Sequence, residues 1–312
     1  MRVTSTQRVC AIRGRVTHHE RVCSEHVALS VDVGRFPPSQ PGQFLQILCR
    51  EDDAGVGRAF LRRPFSIADH VTDDAGRSTL RIISRRVGVG TAWLDRRRAG
   101  DALDVSGPFG HGFELPKSDA PIVLVGGGVG IPPLLYLCRV LASEGRANAY
   151  ALFGATSRNL LPIKLSAEPD RNGRPIPCAH LPGDAAVPVA VTSDDGTCGM
   201  RGRVTDALER WYGETRPPQD ALVCACGPES MLRAVAALSR RWRLRCQLCI
   251  ERTMACGMGT CLSCVVRRRD ADRPEGWRWA LACTEGPVFS RDDLPDYDAP
   301  VSPAGERALD SA

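Results

Sequence analysis

Four cysteines near the C-terminal end, Cys256, Cys261, Cys264 and Cys283, follow the pattern C-x4-C-x2-C-x18-C. Thiolates at such short spacing let a tight loop wrap two irons and their bridging sulfides. A distant fourth thiolate then closes the site, which is the ligand spacing of a [2Fe–2S] cluster. Gly257 and Gly259 let the chain approach without side chains in the way. Zinc is the competing chemistry and prefers paired C-x2-C units. Such a set would join Cys246 and Cys249 to Cys261 and Cys264. The segment "CQLCIE" reads as a strand, however, where residues three apart point to opposite faces, and this speaks against a shared metal.

Other segments have the residue types of a dinucleotide site. In "RRPFSIAD", Arg62 to Asp69, the guanidinium of Arg63 can pair with a pyrophosphate as a two-pronged donor. Ser66 can hydrogen-bond the edge of an isoalloxazine ring, with the backbone of Pro64 and Phe65 running alongside. Taken alone, the segment is equally an ordinary barrel edge. In "SRRVGVGTAWL", Ser84 to Leu94, Gly88 and Gly90 lead to Thr91, which is expected to cap a helix N-terminus and create an anion site. Two phosphate-type features in one region point to a dinucleotide such as FAD.

A third stretch, "PIVLVGGGVGIPPLL", reads as strand, glycine loop and helix. It lacks strict G-x-G-x-x-G spacing, since Gly126, Gly128 and Gly130 lie two apart and Ile131 stands where the third glycine would be. No acidic residue follows the next strand, where Gly154-Ala155-Thr156-Ser157-Arg158 stands. "VTSDDGTCG" and "CGPESML" supply two more strand ends. Each alone could be a helix cap, but three strand-end loops together favour a nucleotide crevice. Gly127, Gly128, Gly130, Cys226, Gly227 and Pro228 are its candidate contacts for NAD(P), and Arg158 could take a 2′-phosphate and favour NADP.

The elements that must position these residues change texture along the chain. From about residue 8 to 117, short β segments separated by Gly, Pro and Asp turns predict an antiparallel β-barrel, interrupted by one helix from Thr91. From 118 to 245, apolar strands alternate with helical stretches, which predicts an α/β domain with a parallel sheet. Residues 246–291 form a Cys- and Gly-rich module. Residues 292–312, with Pro295, Pro300 and Pro303, are expected to be a flexible tail. The fold class is thus multidomain: a β-barrel domain for FAD, an α/β nucleotide-binding domain and a small C-terminal [2Fe–2S] module.

Composition excludes several classes. Hydrophobic residues at 43% and charged residues at 25% exclude a disordered chain. The longest apolar stretch, Pro121 to Leu137, is interrupted by four glycines and by Pro132 and Pro133, so no membrane span is expected. Met1 to Arg15 has no apolar core, and no secretory leader is expected. The net charge of +5 is carried almost wholly by arginine, and no basic helix with interleaved aromatics suggests nucleic acid. The runs Arg96-Arg97-Arg98 and Arg267-Arg268-Arg269 read as solvated faces. A reducing, cytoplasmic location follows, in which Cys10, Cys23, Cys49, Cys138, Cys178 and Cys198 serve as small core residues. The six histidines are scattered, and no residue is assigned as a catalytic acid, base or nucleophile.

In their order, "RRPFSI", "VGVGT", "GPFGHGF", "VGGGVGIPPL", "TSDDGTCG", "CGPESML", "ERTMACGMGTCLSC" and "CTEGPVF" resemble the ferredoxin–NADP reductase superfamily. With the C-terminal cluster, the pattern looks like the electron-transfer subunits of dihydroorotate dehydrogenase B, over residues 8 to 291. The resemblance implies FAD contacts at Arg63, Pro64, Phe65, Ser66, Ile83, Ser84, Arg85, Gly90 and Thr91. It implies cluster ligands at Cys256, Cys261, Cys264 and Cys283. It further implies a partner, an FMN-containing dihydroorotate dehydrogenase catalytic subunit in a heterotetramer of two of each, and a place in pyrimidine (UMP) biosynthesis. Electrons would pass from that partner through the cluster and FAD to NAD+. The alternative is the flavin–iron–sulfur subunit of an NADP-dependent ferredoxin reductase, a sulfhydrogenase or a sulfite reductase. The sequence departs from the pattern in the paired Arg85-Arg86, in a proline-rich stretch from Ala167 to Val187 that looks inserted, and in the residues beyond Ser290.

Overall fold

The structure, a computed structural model, describes residues 9–49 and 61–298. Seven antiparallel strands form the first sheet: β1 (Cys10–Cys23), β2 (His26–Gly34), β3 (Phe44–Leu48), β4 (Arg63–Ser66), β5 (Asp69–Thr72), β6 (Ser78–Arg85) and β7 (Ala102–Phe109). Their order is β4-β3-β7-β1-β2-β6-β5. The two edge strands are consecutive in sequence, and the chain between them closes the barrel. The Ile67 N–H donates to the Gln43 carbonyl on one side (3.1 Å), and the Ala68 N–H donates to the Arg81 carbonyl on the other (2.8 Å). Period-two alternation turns Leu29, Val31, Ile47, Leu80, Ile82, Leu103 and Val105 into the barrel core.

Helix α1 (Val89–Asp95) crosses one end of the barrel, and it corrects the expectation for Thr91. Gly88 is the cap, and Thr91 lies inside the first turn. Its hydroxyl reaches back to accept from the N–H groups of Val87 (2.9 Å) and Gly88 (3.0 Å). The physical result is the same, since orphan donors at the helix start are satisfied, but the helix starts two residues earlier than the Gly-to-Thr pattern suggested.

The second sheet combines β8 (Ile122–Gly127), β9 (Ala149–Ala155), β12 (Val189–Ser193), β13 (Met200–Arg201), β14 (Leu222–Cys226), β15 (Arg245–Cys249) and β18 (Val288–Ser290), in the order β13-β12-β9-β8-β14-β15-β18. A two-stranded ribbon, β10 (Lys164–Leu165) with β11 (Ala179–His180), falls within the proline-rich stretch, and a second, β16 (Val265–Arg269) with β17 (Trp277–Leu281), within the cysteine module. All pairs in the large sheet are parallel except β15 with β18. A parallel sheet covered on both faces needs apolar residues at every position, and Ile122 to Val125 are all buried. Helix α2 (Ile131–Ser143) packs Leu134, Leu137 and Leu141 on one face. Helices α3 (Val204–Thr215) and α4 (Glu229–Arg241) cover the other with Leu208, Trp211, Leu232 and Val235.

Two features depart from the sequence reading. The division expected at 245/246 falls inside β15, whose Cys246, Leu248 and Cys249 are buried as part of the parallel sheet. The cysteine module is therefore an excursion that leaves the sheet after β15 and returns as β18, its antiparallel neighbour. The tail expected to be flexible from residue 292 is packed as far as residue 298. Single 3-10 turns at Arg291–Asp293 and Pro295–Tyr297 place Tyr297 in the core at 1% exposure. Its hydroxyl donates to Glu229 (2.6 Å). The arginine run expected to be a solvated face instead holds this segment, with Arg268 on Asp293 (2.8 Å), Arg267 on Asp296 and Arg269 on Asp298. Prolines and charges suggested disorder, but the charges find partners on β16. The rest of the tail, 299–312, lies outside the described residues.

Removing the Tyr297 hydroxyl with Tyr297→Phe leaves the half-buried Glu229 carboxylate to Arg233 (3.0 Å) and Arg252 (3.1 Å) alone. The expected cost is about 0.5–1.5 kcal/mol, seen as a lower urea midpoint with an unchanged slope.

Candidate functional site

Two adjoining clefts open where the barrel meets the C-terminal ends of the parallel strands. The first, of about 390 Å³, has a barrel wall made of Pro64, Phe65 and Ser66 on β4, Ile83, Ser84 and Arg85 on β6, and Thr91 on α1. Its opposite wall is Gly130, Cys226 and Gly227 from the α/β side, with Ile250, Glu251, Arg252 and Met254 from the chain that leaves β15. The second cleft, of about 400 Å³, is lined by Gly127, Gly128, Thr156, Asp194, Arg203, Pro228 and Ser230 at the strand ends, and by His26 and Arg85 from the barrel. Arg85 and Val129 belong to both.

The sequence-predicted residues therefore assemble into two groups. Arg63 and Gly90 line neither cleft, and Gly130, Cys226 and Gly227, expected at the nucleotide, line the first cleft because the loops after β8 and β14 turn toward the barrel. Gly90 lies against the barrel instead, where a Cβ would sit 3.4 Å from Cys49 Cβ and 3.5 Å from Arg63 Cγ. Gly130 answers a stronger demand. A Cβ there would lie 2.2 Å from the carbonyl oxygen of Cys226, so the loops after β8 and β14 meet only because one carries glycine. Arg158, a candidate for a 2′-phosphate, is absent from the nucleotide cleft and donates to Glu168 (2.8 Å).

The cysteines converge as two pairs. The N–H groups of Met258 and Cys261 each donate to Cys256 Sγ (3.4 Å), and the Cys283 N–H donates to Cys264 Sγ (3.4 Å). Among the described residues no three metal-binding side chains of His, Cys, Asp or Glu meet at one point. Two pairs of thiols with backbone N–H groups turned toward the sulfurs are a donor set that a [2Fe–2S] cluster would take. The competing zinc set is not assembled: Cys249 packs with Cys226 on one face of the sheet and Cys246 on the other. The exposed Cys261 thiol is brought down to about 6, first by the Ser263 hydroxyl (3.1 Å). Burial pushes Cys283 up to about 12, with the Cys264 thiol adding to it.

Several lining residues had no sequence signal. His26 begins β2 at 1% exposure, with Nδ1 on Cys23 Sγ (3.1 Å). Burial first, then Arg85, lowers its pKa to about 4. Ile250 to Met254 reach the first cleft only because β15 ends beside it, and Arg203 comes from a loop whose direction periodicity does not specify, whereas Asp194 belongs to the strand end "VTSDDGTCG" that the sequence marked.

Comparison with known proteins agrees with this layout. Residues 251–295 match the model of the iron–sulfur cluster binding domain of dihydroorotate dehydrogenase B, and residues 124–237 match the oxidoreductase NAD-binding domain. The dihydroorotate dehydrogenase B (NAD+) electron transfer subunit of Caldanaerobacter subterraneus subsp. tengcongensis is 31% identical over 91% of this chain and 98% of its own length. The chain belongs to this family of electron transfer subunits. The Streptococcus mutans member is 35% identical over 80% of this chain and 84% of its own. In fold, the chain is similar to the solved NADH-dependent reduced ferredoxin–NADP oxidoreductase, with a TM-score of 0.69 at 24% identity over 90% of this chain and 89% of that one. A cytochrome P450 reductase of Amycolatopsis has the same core, with a TM-score of 0.56 at 20% identity over 77% and 68%. The ferredoxin-reductase-like fold class read from the sequence is thereby established. The family's shared architecture places a sheet-rich domain first, the parallel α/β domain second and the iron–sulfur segment last.

Two outcomes test the geometry. Gly130→Ala forces the β8 and β14 loops apart and is expected to cost about 1–3 kcal/mol, read by thermal or urea unfolding. His26 ionises near 4 when folded and near 6.5 when unfolded. Between those values the unfolded chain binds the extra proton, so stability falls as the pH drops through that window. His26→Gln removes this contribution, and the unfolding midpoint should fall less steeply from pH 6.5 to 4 than in the parent chain.

Proposed function

We propose that this chain carries electrons from a dihydroorotate-oxidising FMN subunit through a [2Fe–2S] cluster and FAD to NAD+. One observation carries the reading, the continuity of the three sites. Arg252 and Met254 line the first cleft, and Cys256, the first cluster cysteine, follows two residues after Met254. On the other side, Arg85 and Val129 are shared by the first cleft and the nucleotide cleft. A relay requires such adjacency, and a cluster serving only to stabilise the fold does not.

In this reading the FAD lies against Pro64, Phe65, Ser66, Ile83, Ser84, Arg85 and Thr91, with Arg63 and Gly90 shaping the barrel end behind it. NAD+ lies over Gly127, Gly128 and Pro228, and Gly130, Cys226 and Gly227 separate the two ligands. Cys256, Cys261, Cys264 and Cys283 would hold the cluster, which would supply one-electron transfer. Bound cofactors supply the one- and two-electron chemistry. The chain's own part is to orient them, exclude water between them and fix the charge around them. Arg85, ion-paired with Glu25 (2.8 Å), stands between the two clefts, and His26 beside it stays neutral at physiological pH. No side chain is needed as a general acid or base.

The dinucleotide is read as NAD+ and not NADP+. Arg158 is turned to Glu168 outside the cleft, and inside it the opposite charges of Asp194 and Arg203 offset each other, so the cation the sequence offered for a 2′-phosphate is not at the site. The same observation weighs against the NADP-dependent reductase alternative. Met258 (61%) and Leu262 (60%), exposed apolar side chains on either side of Cys261 in the chain, mark the face expected to meet the catalytic subunit. We read the assembly as two copies of each subunit in the cytoplasm, where reducing conditions suit fourteen free cysteines.

Anaerobic titration with NADH is the direct test. Flavin and iron–sulfur absorption bands should both bleach, with NADPH at least about tenfold less effective, a difference of 1.4 kcal/mol in the transition state. A colourless, zinc-loaded chain would overturn the reading. Leu262→Glu should leave NADH-driven bleaching intact and abolish co-elution with the FMN subunit.

A further inference from the structure

We infer that Gln46 donates a hydrogen bond to a sulfur of the iron–sulfur cluster and thereby tunes it from the flavin barrel. The inference rests on the cluster reading above. Gln46 lies in the middle of β3, with Pro64 of β4 on one side and Ser106 of β7 on the other. It is completely buried, at 0% exposure. Its side-chain oxygen and nitrogen both lack a hydrogen-bond partner among the described residues. A buried amide in that state is costly, and native chains rarely leave one so.

The contrast with the chain's other buried glutamines is direct. Gln43 accepts from the Gln40 N–H (2.7 Å) and donates to the Gly110 carbonyl (2.6 Å). Gln247 accepts from the Glu114 N–H (2.9 Å) and donates to the Glu114 carbonyl (2.6 Å). Of these three buried glutamines among the described residues, Gln46 alone is left open, and what it faces points to the missing partner.

The Gln46 side chain lies against Gly257, the residue after Cys256. A Cβ on Gly257 would sit 2.8 Å from Gln46 Nε2 and 2.9 Å from Cγ, and Gly257 has φ +74, so glycine is needed there twice over. Strand alternation puts Gln46 on the same face as Phe44, which lines the first cleft, whereas Gln46 does not line it. Its amide therefore reaches past the flavin site to the cysteine loop. The acceptors that a loaded loop would bring there are thiolate and sulfide sulfurs. A donor to those sulfurs stabilises the more negative, reduced cluster and raises its potential.

The test compares the anaerobically purified full chain with Gln46→Met, which keeps the volume without the donor, and Gln46→Glu, which keeps the shape and replaces the donor with an acceptor. Cluster potentials are read by redox titration followed by electron paramagnetic resonance, and flavin potentials by absorption. In Gln46→Met the reduced-to-oxidised ratio of the cluster at fixed poise should fall about tenfold, or 59 mV for a one-electron couple, with the flavin unmoved. Gln46→Glu should fall further. The iron-free protein should lose no thermal stability on Gln46→Met, because the amide has no partner there. An unmoved cluster potential in a loaded variant would overturn the inference, as would a shift confined to the flavin. If Gln46→Met does not fold, Gln46→Glu decides by the same criteria. A parent chain that binds no iron would instead overturn the function on which the inference rests.

Discussion

The antiparallel pairing of β15 with β18 is the constraint on which the arrangement depends. It makes the cysteine module start and finish on one edge of the parallel sheet, so its loop cannot move independently of the crevice beside it. The barrel is tied to the same edge. His111 donates its N–H to the Gly286 carbonyl (2.6 Å), and a Cβ on Gly110 would collide with Pro287 at 2.5 Å. Barrel exit, sheet edge and module return thus meet within a few residues. Relative placement of the three sites is set by backbone contact, which side-chain motion does not relax.

Packing, more than charge, holds the module on that edge. Arg268, Asp293, Glu285 and Arg278 form a network, but their side chains are 28–37% exposed, and exposed pairs contribute about 0–1 kcal/mol each. Val266, Ala280, Phe289 and Tyr297 are buried in the same core as α4 and β15. Full burial of one large apolar side chain is worth about 1.5–3 kcal/mol. The arginines give direction, aligning the segment after β18 along β16, and the apolar contacts supply most of the stability.

This division suits a chain that conducts electrons. Proton-transfer catalysis asks for a general acid or base matched to neutral pH, whereas this seam keeps its histidine neutral. Function here comes down to distance and dielectric. Glycines allow the close approach of the loops, and apolar walls keep water out. Of the buried glutamines, Gln43 is satisfied within the chain, whereas the Gln46 amide has no partner among the described residues and lies against the cysteine loop.

How much of this was legible in the sequence follows from what local chemistry can encode. The cysteine spacing, the period-two strands and the apolar strand–helix alternation are local patterns, and each determined its own element. The strand-end glycines marked the crevice for the same reason, because backbone approach restricts residue type wherever it occurs. Local pattern did not reveal that β15 belongs to the parallel sheet, that residues 292–298 are packed, or that Arg158 faces Glu168. Those outcomes depend on partners far away in sequence. Only the tertiary structure brought His26 to the nucleotide cleft and Gln46 to the cysteine loop. A single polar residue on a strand carries no periodic signal, and its meaning comes from what the closed barrel sets in front of it.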